Sequence, residues 1–202
     1  KVFDTLRNED QNLDGNLPPS GNILFSPTYM RHEIMQFIDK EIQEAKANRK
    51  AHIIIKINSL SDKQLIKKLY EAAEAGVNIQ MIVRGIYCAK NQKTFIKPIE
   101  SISIVDEYLE HARVLYFYHA GEEKMYLSSA DWMTRNLDYR IEAAIKVMDK
   151  NIKKQLLDIL HIQLNDNVKA RKMNNLLSNK YVKNTGSPCQ SQLAIYHYLK
   201  KS

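Results

Sequence analysis

The sequence predicts an α/β domain: a mixed, mostly parallel sheet flanked by helices, with a β-hairpin that carries a His motif. Three observations predict it. Residues 23–83 alternate apolar runs with stretches of helical periodicity, in the order strand–helix–strand–helix–strand, as parallel sheets with crossover helices do. The run His52-Ile-Ile-Ile-Lys-Ile57 is β-branched and shows no alternation over its Ile core, which suits a central strand covered on both faces. Val114-Leu-Tyr-Phe-Tyr118 and Lys124-Met-Tyr-Leu127 flank Ala120-Gly121-Glu122, which reads as two strands around a turn.

Taken in order, residues 1–21 read as the tail of a preceding domain followed by a polar linker, with Pro18-Pro19 inside it. The opening at Lys1, without Met, suggests a piece of a longer protein, and the domain itself is expected over 22–202. Ile23-Leu-Phe25 is a short strand. Ser26-Pro27 is the expected helix start, a hydroxyl cap followed by a residue that needs no N–H partner. Met30, Ile34, Ile38 and Ile42 then share one helical face, with His32 off it on the solvent side. Ser61-Asp-Lys-Gln64 matches a capping box before a second amphipathic helix that closes at Gly76. Val77–Val83 is the next strand, Ala89–Ser101 a basic loop or short helix with Lys90, Lys93 and Lys97, and Ile102–Val105 a further strand or edge. Beyond the hairpin, Arg140–Val147 resumes β character, and Asp149 opens a helix with His161 near its end. Val168–Met173 is a short strand, and Ser191–Leu199 a terminal helix.

Composition narrows the class. The chain has 202 residues, 44% hydrophobic and 26% charged, as soluble globular domains do. Its net charge of +7 favours polyanionic partners, although a merely soluble basic surface accounts for it equally well. No apolar run approaches the roughly 18 residues of a membrane span, and the opening residues do not resemble the charged-then-apolar pattern of a signal peptide. Cys88 and Cys189 form neither a disulfide framework nor a zinc pattern, so a reducing cytoplasmic setting is expected, with a membrane-peripheral position still compatible.

The chemistry concentrates around the hairpin. His111 and Arg113 stand at one mouth of it, alternate residues of a strand that face one side, and the chain returns to that mouth at Ser128-Ser129-Ala130-Asp131. An imidazole, a guanidinium, hydroxyls and a carboxylate suit phosphate chemistry; the plain alternative is a structural His at a strand end. Lys56 sits near the end of a strand expected to be buried, where an ionised amine needs an anionic partner or must reach solvent. Asn58 and Ser59 follow at the strand's C-terminal edge, where α/β proteins commonly bind ligands. Arg84-Gly85 ends the next strand, placing a forked cation at a crevice or in a surface ion pair. Cys88, without ligand-spaced partners, is expected to be buried rather than reactive.

His111-x-Arg113 with Ser128-Ser129-Ala130-Asp131 resembles the His-x-Lys…Gly-Ser-x-Asn signature of the phospholipase D superfamily, with Arg for Lys, Ser for Gly and Asp for Asn. Tyr108-Leu-Glu-His-Ala-Arg113, Tyr126-Leu-Ser-Ser-Ala-Asp-Trp-Met-Thr-Arg-Asn136 and Ile82-Val-Arg-Gly85 resemble the C-terminal domain of the polyphosphate kinases of the phospholipase-D-like type. Ile54–Leu60, Asp166–Arg171 and Gln192–Tyr196 extend the likeness, which runs from Val2 to Tyr198.

That resemblance implies a phospholipase-D-like fold and reversible transfer of the ATP terminal phosphoryl group to inorganic polyphosphate, through a phosphohistidine formed in a partner domain of the same chain. His111 matches the second His of such a paired site, as a nucleotide-phosphate contact or proton carrier, and Arg84 matches a nucleotide-binding Arg. Arg113 joins them as a phosphate-binding candidate. By analogy Lys56, Asn58, Ser129, Asp131, Arg135 and Asn136 stand in second rank, while Asp131 equally fits a structural pair with Arg113 or Arg135. ATP or ADP is implied as substrate, and magnesium for the whole enzyme, with no metal ligands in this chain. The implied partners are polyphosphate, adenine nucleotide and the N-terminal domains, in a homo-oligomer without specific nucleic acid. A phosphodiesterase or nuclease of the wider superfamily and a non-catalytic polyanion-binding module are the rival readings. The Arg and Asp departures weigh against the first, and the lack of nucleic-acid signatures against the second.

Overall fold

In the computed structural model, residues 22–176 and 178–201 are described. The tail and linker expected over 1–21 lie outside them. Eight strands form one sheet: β1 (Ile23–Ser26), β2 (His52–Ile57), β3 (Asn78–Val83), β4 (Glu100–Ile104), β5 (Val114–Phe117), β6 (Lys124–Ser128), β7 (Glu142–Lys146) and β8 (Ala170–Lys172). Five helices accompany them: α1 (Met30–Lys46), α2 (Lys63–Glu74), α3 (Thr134–Asp138), α4 (Lys150–Leu164) and α5 (Ser191–Leu199).

The strand order is β1-β7-β6-β5-β2-β3-β4-β8. The sheet is mixed, but it is not mostly parallel in its pairing: only β2–β3 and β3–β4 pair parallel, and the other neighbours are antiparallel. The cause is local. β5, β6 and β7 follow one another through a turn and a short excursion, so each must return beside the last. The run of apolar segments over 23–83 does hold strands of one direction, but α1 carries the chain from the β1 edge to the sheet's middle, so β1 and β2 are not neighbours.

β2 shows why its Ile run lacks alternation. Ile53, Ile55 and Ile57 pack into the layer under α1 and α2, whereas Ile54 faces the opposite layer with Tyr116, Met125 and Leu160 of α4. Both faces are covered, so both parities are apolar. Capping differs in detail from expectation. Ser26 ends β1 and its hydroxyl donates to the carbonyls of Asn136 and Arg140, while α1 begins at Met30 without a side-chain cap. Asp62, rather than Ser61, caps α2 by accepting from the Leu65 amide at 3.0 Å. Asp149 caps α4 as expected, accepting from the amides of Asn151 and Ile152. Among the described residues no helix is long and apolar enough to cross a membrane.

Asp166 ties the last elements together. Its carboxylate is fully buried and accepts from the amides of Val168, Lys169 and Ala170 and from that of Ser191 at the start of α5. Burial alone would push its pKa up, but these amides outweigh burial and hold it below the usual carboxylate range. Asp166→Ala strands several buried amides, each costing about 1–3 kcal/mol when unsatisfied. A loss of about 3 kcal/mol in urea unfolding near neutral pH is the expected outcome. Because the folded pKa is depressed, the contribution is present above the unfolded value and fades as pH falls through the folded one, so wild type and variant converge in acid.

Candidate active site

The site forms where three strand ends meet. β2 and β3 run parallel with Ile57 opposite Val83, so the residues that follow them, Asn58 and Arg84, stand side by side. β5 pairs antiparallel with β2, with Val114 opposite Lys56, so the segment leading into β5 crosses the same rim and brings His111 and Arg113 there. The return from β6 adds Asp131.

His111 is exposed and lies between two guanidinium groups. Arg84 Nη2 is 3.2 Å from its Nδ1, and Arg113 Nη2 is 3.3 Å from its Nε2. A guanidinium only donates, and a neutral imidazole offers one lone pair, so at most one of these contacts is a hydrogen bond; the other sets donor against donor. Arg84 is otherwise held by a neutral oxygen, Asn58 Oδ1, at 3.3 Å from Nε and 3.1 Å from Nη2. Arg84 meets no carboxylate in any ion pair among the described residues.

Arg113 differs. Its Nε and Nη2 donate to the two oxygens of Asp131 at 2.9 and 3.0 Å, so its fork is already occupied. Asp131 is 7% exposed and also accepts from the amides of Asn58 (2.7 Å) and Ser59 (3.2 Å). Burial raises its pKa, but Arg113 and these amides outweigh burial and hold the carboxyl below its usual range. Asp131 thus fixes Arg113 directly and, through the Asn58 backbone, the residue that holds Arg84. Of the alternatives left open for it, the pair with Arg113 is the one formed.

The remaining candidates stand elsewhere. Lys56 points to the α4 side of the sheet, where its Nζ meets Glu110 Oε2 at 2.6 Å; its charge is spent there and not at the rim. Glu110 also accepts from Gln163 of α4 and Gln192 of α5, closing one wall of a largely apolar cavity of about 360 Å³. Glu110 escaped sequence reasoning although the signal was present: it alternates with His111 and Arg113, so it had to face the other way. Ser129 gives its hydroxyl to Glu142 and accepts the Ala143 amide, and Asn136 donates to Glu142 Oε1 at 2.7 Å. Neither bonds to His111, Arg84 or Arg113. Arg135 is exposed on α3, a short helix that the sequence did not predict. Cys88 is exposed rather than buried. Among the described residues no group of three or more His, Cys, Asp or Glu could hold a metal ion.

A family profile described as polyphosphate kinase C-terminal domain 2 matches residues 23–192. The chain belongs to that family. It is 47% identical over 182 residues to a polyphosphate kinase of Yersinia pestis, covering 89% of this chain and 26% of the relative. It is 44% identical over 181 residues to that of Escherichia coli, covering 88% of this chain and 26% of the relative. The polyphosphate kinase structure from Porphyromonas gingivalis superposes with a TM-score of 0.90 at 38% identity, over 99% of this chain and 30% of that one. The phospholipase D family member Nuc from Salmonella typhimurium shares the fold, with a TM-score of 0.54 at 14% identity, over 76% of this chain and 97% of that one. This polyphosphate kinase domain therefore spans about a quarter of the length of the curated relatives it matches.

Proposed function

We propose that this domain supplies one wall of a phosphoryl-transfer site in an ATP:polyphosphate phosphotransferase, with Arg84 and His111 as its phosphate contacts. One observation carries the reading: an Arg with no carboxylate partner among the described residues and an exposed imidazole share a rim on which donors outnumber acceptors. An anionic oxygen entering there accepts from Arg84, the fork that no carboxylate occupies among the described residues, and relieves the donor–donor contact at His111. Phosphoryl transfer asks mainly for positioning and charge neutralisation, which such a rim provides. In this reading the bond from the γ-phosphorus to the β-phosphate oxygen breaks, ADP leaves, and the phosphoryl group passes to a His nitrogen of a preceding domain and then to a terminal polyphosphate oxygen, which frees that His, while His111 holds the phosphate or carries a proton. Magnesium, where the whole enzyme uses it, is held by other domains. Leu127 and Ile145, paired across β6 and β7 and exposed, suit the surface a neighbouring domain covers. The free thiols of Cys88 and Cys189 agree with a reducing, cytoplasmic setting.

The reading is tested by titrating ATP and tripolyphosphate into the domain. Arg84→Ala is expected to weaken both by about 10- to 100-fold, the worth of a charge-assisted hydrogen bond, with Arg84→Lys in between. Equal affinity in wild type and Arg84→Ala would reject the assignment. Cleavage of a generic phosphodiester by the domain would favour the nuclease reading instead.

A further inference from the structure

The chain's positive charge is not spread along it. Residues 167–202 hold seven Lys or Arg and no Asp or Glu, which leaves residues 1–166 balanced at 23 of each sign. The whole excess of +7 thus belongs to the segment that follows Asp166. In the fold, part of this segment builds the sheet edge beyond β4. β8 pairs with β4, and residues 180–182 run antiparallel beside β8, through Lys172 N to Lys180 O and Val182 N to Ala170 O at 2.8 Å each.

This edge gathers cations on a fixed frame. Lys172, Lys180, Lys183 and Tyr181 line a cleft of about 480 Å³ with no acidic residue in its wall. All three lysines are exposed, and none forms an ion pair among the described residues. The Arg171–Tyr181 bridge sets Lys172 opposite Lys180, and like charges directly opposed on neighbouring strands are destabilising. Arg171 does not join them as a free fork: it lies 4.1 Å over the Tyr181 ring and donates to Asn179 O and Tyr181 Oη.

We propose that this cleft is an auxiliary binding site for a linear inorganic polyanion, the polyphosphate chain, outside the Arg84–His111 rim. The inference rests on the proposed substrate. Three strand spacings of about 4.8 Å separate β3, which Arg84 directly follows, from the 180–183 segment, so the cleft lies about 14 Å across the sheet from the rim. A chain anchored there reaches beyond one nucleotide's phosphates. Lysine ammoniums are hydrated point charges without a preferred register, which suits a polymer of identical units that must slide. Tyr181, stacked by Arg171 on one face, offers little of the open aromatic platform that single-stranded nucleic acid uses.

The test is made in the full-length enzyme with Lys172→Glu, Lys180→Glu and Lys183→Glu combined. Binding of long-chain polyphosphate is expected to weaken at least tenfold at low salt, and its log–log salt slope to shrink by about 2. ATP binding is expected to stay within about twofold, as independent sites do. The corresponding Lys→Arg triple variant keeps the charge and is expected to keep the binding. Unchanged long-chain affinity and slope in the Glu variant would overturn the proposal, as would loss of mixed-sequence RNA binding with polyphosphate binding intact. If Arg84→Ala leaves ATP binding unchanged while the Glu variant loses long-chain polyphosphate, the cleft stands and the rim assignment falls.

Discussion

Replacing His111 by Ala in the full-length enzyme is expected to cut polyphosphate synthesis by about 100- to 10,000-fold, the range lost with a positioned proton carrier. Stability is expected to change by no more than about 0.5 kcal/mol, as for other exposed positions. The two halves of this expectation come from the same geometry. His111 is exposed, and its side chain touches the fold through single contacts to Arg84 and Arg113. Truncation therefore opens no cavity and strands no buried group. What it removes is the group between two cations where a phosphate oxygen would arrive. His111→Gln separates the possible roles: an amide keeps a donor or acceptor near the rim but cannot exchange a proton. Substantial activity in His111→Gln with none in His111→Ala would mark a simple ligand, whereas loss in both would mark proton transfer. Normal synthesis by His111→Ala would reject a place for this residue in the reaction.

Much of this arrangement is legible in the sequence, because it depends on strand ends. The Ile run of β2, the helical faces of α1 and α2 and the aromatic hairpin are strong periodic signals, and they alone dictate that Asn58, Arg84 and His111 approach one rim. The parts that were not legible depend on pairing partners. The prevalence of antiparallel neighbours follows from which strands sit side by side, and that is decided by a crossover whose landing place the sequence does not announce. Ser129 and Asn136 look like site residues by spacing, yet both are drawn to Glu142, a carboxylate brought near by β7. Lys56 reads as an unpaired buried cation until Glu110 is seen to meet it on the α4 side of the sheet. Arg113 reads as a phosphate fork until Asp131 occupies it. Each of these is a competition between a ligand and an internal counter-charge, and only proximity decides it.

Asp131→Ala is expected to be the most destabilising substitution in the site, costing about 3–5 kcal/mol, the range for removing one partner of a buried pair. Both side chains of the pair are nearly closed to solvent, 12% exposed for Arg113 and 11% for Asp131, so water cannot replace what is lost. The variant leaves the Arg113 charge buried and the Asn58 and Ser59 amides without their acceptor. For a domain of this size a cost of 3 kcal/mol lowers the thermal midpoint by about 6–12 °C. Asp131→Asn keeps the volume and one oxygen, so it retains an amide contact but not the charge, and falls between. The pH dependence fixes the cause. The folded pKa of Asp131 is depressed, so its contribution is present above the unfolded value and is lost as pH falls through the folded one. The gap between wild type and Asp131→Ala in denaturant midpoint should accordingly be widest near neutrality and close as the solution is acidified below about pH 4. A gap that stays constant with pH would mean that Asp131 acts through packing alone. Arg84 and His111 would then owe their placement to the strand ends themselves rather than to the carboxylate that joins Asn58 to Arg113.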